Sequence, residues 1–154
     1  MEGLFVFILG LAIGSFLNVL ILRLPHNKSI MGFSKCQNCK KKIAWHDNIP
    51  VISFFILGGR CRSCHAKVSW QYPLVELMTA FLFLFSFLIY PVKLLSYNTG
   101  FAGFDGVNPA YLLGLIYTWF LIAIFLVIAF IDLKHLIILD SLVLAGFIVS
   151  LSYF

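Results

Sequence analysis

The stretch Gly3–Leu22, GLFVFILGLAIGSFLNVLIL, runs for twenty residues without a charge. As a helix rising 1.5 Å per residue it spans about 30 Å, the thickness of a bilayer's hydrocarbon core. A cleaved signal peptide would begin with a basic segment and end in small residues at a cleavage site. This stretch is preceded by Glu2 and no such site follows it. It reads as a retained first helix with its amino end outside and Arg23 at the inner edge.

The rest of the chain repeats the theme. Its 154 residues are 62% hydrophobic and 11% charged, with a mean hydropathy of +1.02, which excludes an ordinary soluble domain. Pro73–Val92 reads as a second span, with Pro73 suited to the first helical turn and Glu76 near the inner end. Lys93–Asn108, rich in turn residues, reads as an external loop. Val107–Ile131 is a 25-residue uncharged run, a third span that returns inward. A short turn, Asp132–Asp140, leads to a fourth apolar segment, Ser141–Phe154, which reads as ending inside a helix. No internal repeat is evident. The expected fold is an all-α polytopic membrane protein with about four transmembrane helices, the last incomplete. A small zinc-stabilised cytoplasmic domain lies between the first and second.

That domain is the polar island Leu24–Tyr72. Pro25, Asn27, Gly32, Asn48, Pro50, Gly58 and Gly59 punctuate it, so turns and short strands are expected there. All four cysteines lie within it, as Cys36-x2-Cys39 and Cys61-x2-Cys64, 21 residues apart. Paired thiolates at this spacing suit a tetrahedral zinc site; two disulfides or four unrelated buried cysteines are the plainer alternatives. Nine of the eleven Lys and Arg residues fall between Arg23 and Lys67, with Asp47 the only acid among them. Between membrane spans, such a bias follows the positive-inside rule rather than nucleic-acid binding. A reducing cytoplasm would also keep the thiols free for metal.

Among the carboxylates, Asp132 follows the 25 uncharged residues at the inner end of the third span. An interfacial anchor and a functional acid are both open readings, because charge near lipid is costly. Asp140 suits a helix amino end. Eight helical residues separate the two by about 12 Å, too far for a shared-proton dyad without a tight turn. His26, His46, His65 and His135 read as solvated or interfacial, and His65 is not needed where four cysteines complete a tetrahedron.

Several motifs, in order, resemble one family. Gly14-Ser15-Phe16-Leu17-Asn18-Val19 and Arg23-Leu24-Pro25 are similar to the amino-terminal signature of bacterial type IV prepilin leader peptidases. So are Ser34-x-Cys36-x2-Cys39, Asp47-Asn48-Ile49-Pro50-Val51-Ile52-Ser53 and Gly59-Arg60-Cys61-Arg62-x-Cys64. Tyr72-Pro73-Leu74-Val75-Glu76-Leu77 and Asp132-Leu133-Lys134-His135 extend the likeness over nearly the whole chain. The resemblance implies an inner-membrane aspartic protease that removes basic leaders from type IV prepilins and pseudopilins at the cytoplasmic face. Many members also methylate the new amino terminus with S-adenosylmethionine. It implies Asp132 as the first catalytic aspartate and Cys36, Cys39, Cys61 and Cys64 as zinc ligands. It further divides the chain into a first helix (1–23), a zinc domain (24–72) and the start of the peptidase domain (73–154). The family's second aspartate stands in a Gly-x-Gly-Asp motif, which this sequence does not contain, and Leu139 replaces the usual proline before Asp140. The chain thus reads as the amino-terminal part of an enzyme. Prepilin-type substrates and the lipid bilayer are the expected partners, and nucleic acid is not.

Two other readings use the same residues differently. A non-catalytic membrane adaptor would recruit a partner through its zinc module, and a thiol–disulfide relay would cycle the two C-x-x-C pairs. Bound metal would separate the relay from the other two.

Overall fold

In a computed structural model, residues 1–89 and 109–135 are described, together with Val143 and Gly146. The described residues form four helices: α1 (Glu2–Arg23), α2 (Ile52–Ile56), α3 (Gln71–Ile89) and α4 (Pro109–His135). Among the described residues no strand forms; the island's strand-like pairings are the isolated bridges Lys35–Lys42 and Arg60–Lys67. Three helical segments, Glu2–His26, Gln71–Ile89 and Leu112–Lys134, are long and apolar enough to cross a membrane. The expected external loop and, apart from Val143 and Gly146, the expected fourth span lie outside the described residues.

Helices α1 and α3 run antiparallel in close contact. Phe7 meets Phe81 edge to face with ring centroids 5.4 Å apart, and toward the other end Asn18 donates to the Tyr72 carbonyl at 3.0 Å. Gly10 and Gly14 make the approach possible. They form a G-x3-G pair, the spacing that lets membrane helices bring their backbones together. A Cβ built on Gly10 would lie 2.6 Å from the Ala80 Cα, and one on Gly14 would lie 2.7 Å from the Glu76 Cα. Both obstacles are backbone and neither can swing aside. Gly14→Leu should therefore push α1 off α3 and destabilise the bundle by about 1–3 kcal/mol or more. Unfolding in mixed micelles, compared with a Leu11→Ala control on the same helix, measures this.

Helix α4 packs against the same pair. Its Trp119 ring stacks on Phe83 at 4.9 Å, and the indole N–H donates to the Ser86 hydroxyl at 2.9 Å. In the half nearer the island, Leu17, Ile21, Val75, Leu126, Val127 and Ile131 form the buried core shared by the three helices. The Lys134 ammonium reaches the Gln71 side-chain oxygen at 3.4 Å, fixing the carboxyl end of α4 beside the start of α3. The island sits at that end of the bundle, joined to the end of α1 and the start of α3.

Arg23 does more there than mark a membrane edge. Its guanidinium donates to the carbonyls of Ser29, Ile30, Met31 and Phe33 at 2.9–3.3 Å, clamping the chain as it leaves α1. A lysine keeps the charge but lacks the planar fork. Arg23→Lys should loosen residues 29–33 by about 1–2 kcal/mol, seen as faster proteolysis there with the helices still folded.

Candidate functional site

The two C-x-x-C segments fold alike, residue for residue. In the first, the Lys40 N–H bonds to the Cys36 carbonyl and the Cys36 N–H to the Lys41 carbonyl, both at 3.0 Å. In the second, His65 bonds to Cys61 and Cys61 to Ala66, both at 2.9 Å. Lys40 and His65, each just after the second cysteine, have φ of 59° and 55°, which turns the chain back over the sulfurs. Each knuckle is closed by its own bridge and by a 2.8 Å bond, from the Ile43 N–H to Ser34 and from the Val68 N–H to Gly59. This corrects the expectation of a chain without internal repeats. SKCQNCKKKIAW (34–45) and GRCRSCHAKVSW (59–70) are two copies of one unit. Only four of the twelve aligned pairs are identical, both cysteines, Lys42 with Lys67, and Trp45 with Trp70, so the repeat is faint in the sequence.

The knuckles face each other, and the four Sγ atoms all lie within 4.8 Å of one another; Cys36 and Cys64 are 3.8 Å apart. Four sulfurs about 2.3 Å from one tetrahedral zinc ion would be separated by about 3.8 Å. The donor set therefore fits zinc in number, type and spacing. It also fits in charge. The Ala66 N–H, above all, draws the Cys64 thiol down to about 6, favouring thiolate. Cys39, though the Lys41 N–H approaches it, is pushed up to about 11 by burial and by the neighbouring sulfurs. Four thiols this close cannot all ionise without a cation between them. All four cysteines are free, so neither disulfide pairing is present. His65 contributes its backbone turn.

Asp47 and Arg62 tie the segment between the knuckles to the second knuckle. The Nε–H is shared between the two carboxylate oxygens and Nη2 donates to Oδ1, at 2.6–3.1 Å. The Arg62 hydrogen bonds hold the Asp47 carboxyl below its ordinary range. His46 lies 3.6 Å from the same carboxylate.

A second cluster joins the island to the bundle. Glu76, buried within α3, accepts the Val51 N–H at 2.7 Å. Val51 has φ 61°, a conformation that β-branched residues rarely adopt. Asn18, also buried, bridges α1 to the first turn of α3 through its amide N–H, and its side-chain oxygen has no partner among the described residues. Neither Asn18 nor Glu76 has a role that composition or motif spacing alone reveals. The signal was present: lone polar groups within otherwise apolar spans are expensive and mark specific contacts.

Asp132 is partly buried, one turn from the end of α4. Through the Lys134–Gln71 contact, that end lies on the island's side of the bundle. Asp105 and Asp140 lie outside the described residues. Among the described residues no second carboxylate is placed against Asp132.

These features define a membrane protein whose helical bundle carries a four-cysteine module at one end, with an aspartate at the same end. A family model described as the bacterial peptidase A24 N-terminal domain matches residues 8–90, which take in most of α1, both knuckles and α3. The prepilin leader peptidase/N-methyltransferase of Myxococcus xanthus is 49% identical over 82 residues, covering 53% of this chain and 24% of that protein. The Vibrio cholerae protein of the same name is 35% identical over 122 residues, covering 73% of this chain and 43% of its own. A third of that name, from Pseudomonas aeruginosa, is 33% identical over 161 aligned residues, covering 89% and 49%. No solved structure matches. The chain belongs to the bacterial prepilin peptidase family, and it spans less than half the length of these relatives.

Proposed function

We propose that this chain forms part of an inner-membrane enzyme that cleaves the basic leader from type IV prepilins and pseudopilins. The observation that carries this reading is the family match together with the placement of Asp132 on the module's side of the bundle. A prepilin carries its basic leader in the cytoplasm and an apolar helix in the bilayer, so its scissile bond lies at the inner interface. Asp132, at the end of a span, stands at that depth as the first catalytic aspartate. The second carboxylate must come from residues outside those described.

In this reading the chain divides into the first helix (1–23), the zinc module (24–72) and the start of the peptidase domain (73–154). Zinc bound by Cys36, Cys39, Cys61 and Cys64 holds the two knuckles together and takes no part in peptide hydrolysis. The module faces the cytoplasm, in keeping with its basic residues. The relatives' names pair the peptidase with an N-methyltransferase, and S-adenosylmethionine is the methyl donor proposed here. The bilayer and the prepilin are the partners. In cells expressing the full-length protein with a prepilin, cleavage should be visible as a mobility shift and should vanish in Asp132→Asn. Cleavage that survives the substitution removes Asp132 from the active site.

A further inference from the structure

We infer that α2 and the turn leading into it form a membrane-embedded interfacial hairpin, with phospholipid of the leaflet on the module's side as its partner. The sequence Ile49–Leu57, IPVISFFIL, has no charge and one polar side chain, Ser53. That hydroxyl is already used, donating to the Ile49 carbonyl at 2.7 Å.

Two independent contacts set the depth of this segment. Trp70 immediately precedes Gln71, the first residue of a helix able to cross the membrane, and so stands at its mouth. Phe54 and Phe55 of α2 lie against the Trp70 ring, with centroids 4.8 and 6.3 Å away. The Val51 N–H bonds to Glu76, five residues inside α3, which is about 7 Å further along the helix axis. A glutamate side chain on a helix leans back toward the amino end, so this bond holds the start of α2 against the first turns of α3, near the level of Trp70.

Side-chain exposure agrees with that depth. Ile52, Phe55, Ile56 and Trp70 are 55, 59, 74 and 68% exposed. Leu74, one turn beyond Trp70 on α3, is 50% exposed and continues the apolar face onto the span. In water this surface would be costly; at the boundary between headgroups and acyl chains, tryptophan, phenylalanine and isoleucine are favoured.

The backbone also suits lipid, where polar groups must be satisfied internally. Glu76 takes the Val51 N–H. The Ser53, Phe55 and Leu57 N–H groups bond to Ile49, Val51 and Ser53 carbonyls at 3.0–3.3 Å, and those of Gly58 and Gly59 bond back to Phe55 and Phe54. Gly58 and Gly59, with φ of 58° and 66°, then turn the chain out of the apolar layer. A Cβ on Gly59 would lie 3.1 Å from the Phe54 ring, so the exit is tight against the aromatic cluster. Exposed Arg60 and Lys67, paired in the next bridge, follow at once and supply positive charge for anionic headgroups.

The test places the photocrosslinker p-benzoylphenylalanine singly at Phe55, Ile56, Phe85 or Lys41 of the full-length protein. Samples are irradiated in native membranes and, after purification, in phosphatidylethanolamine–phosphatidylglycerol vesicles. Phe85, 62% exposed on α3, reports direct lipid contact, and Lys41 reports the aqueous knuckle. Phospholipid adducts at positions 55 and 56 should match those at 85 within about twofold and exceed those at 41 by about tenfold. Yields equal to those at 41, or adducts to protein in place of lipid, would overturn the inference. All four side chains are exposed, Ile56 lies outside the aromatic contacts with Trp70, and the crosslinker keeps an aromatic ring at position 55. Quenching of Trp70 by brominated lipid, with Trp45 and Trp119 changed to Phe, checks the depth with α2 itself unaltered; a Trp70 that escapes quenching also overturns it.

Discussion

Cys61→Ser should release the metal and unfold the island while leaving α1, α3 and α4 helical. None of the island's residues is fully buried, and its regular structure amounts to two bridges, two short 3-10 turns and the five residues of α2. A module of this kind lacks the buried apolar area to offset its chain entropy, and metal binding becomes its folding energy, about 10–16 kcal/mol for a structural zinc. One lost thiolate leaves three donors and opens one knuckle at its first residue, where the Cys61 N–H and carbonyl both hold the turn. Metal analysis should fall from about one zinc per chain to near zero, and proteases should cut across 28–69. Chelation or acidification should act likewise on the unsubstituted protein, because protons and zinc compete for the same sulfurs. Retention of zinc at full occupancy in the serine variant would show that the four sulfurs do not share one ion.

Asp132→Asn should reduce leader cleavage by several orders of magnitude with little change in stability. An aspartic dyad divides its work: one carboxylate takes a proton from water while the protonated partner polarises the scissile carbonyl. An amide is nearly the same size and can still donate a hydrogen bond, but it neither takes a proton from water nor gives one up, so the loss falls on turnover. The side chain is only partly buried near the end of α4, so the bundle tolerates the change. Zinc content and prepilin binding should be preserved, which separates a catalytic loss from a folding one. If Asp132 were an interfacial anchor only, cleavage would continue and the variant would show instead a small shift in membrane stability.

Much of this architecture was legible in the chain itself. Three long apolar runs became the three spans, with boundaries moved by a few residues: the second spanning helix starts at Gln71 rather than Pro73, and the third begins at Pro109 and continues to His135. The paired cysteines became one cluster of four sulfurs. Local signals sufficed because hydropathy over twenty residues and a two-residue cysteine spacing are properties of contiguous sequence. Other features were written in the sequence but needed a partner to be understood. Gly10 and Gly14 look like two small residues among many until Ala80 and Glu76 stand against them. The knuckle repeat, offset by 25 residues, is plain only once its bonds and bridges superimpose.

The sequence by itself determined that the chain lives in a membrane, that its basic island lies between the first two spans, and that four thiolates can share a metal. These follow from solvation and charge, which act on residues wherever they fold. Only the tertiary structure decided how the island meets the bundle. Glu76 is an isolated acid in a span until Val51, 25 residues upstream, turns its N–H toward it. The island read as wholly aqueous, yet IPVISFFIL lies at the depth of α3's first turns. Contacts at that separation depend on where the chain returns after both knuckles have closed, and no local pattern encodes that distance.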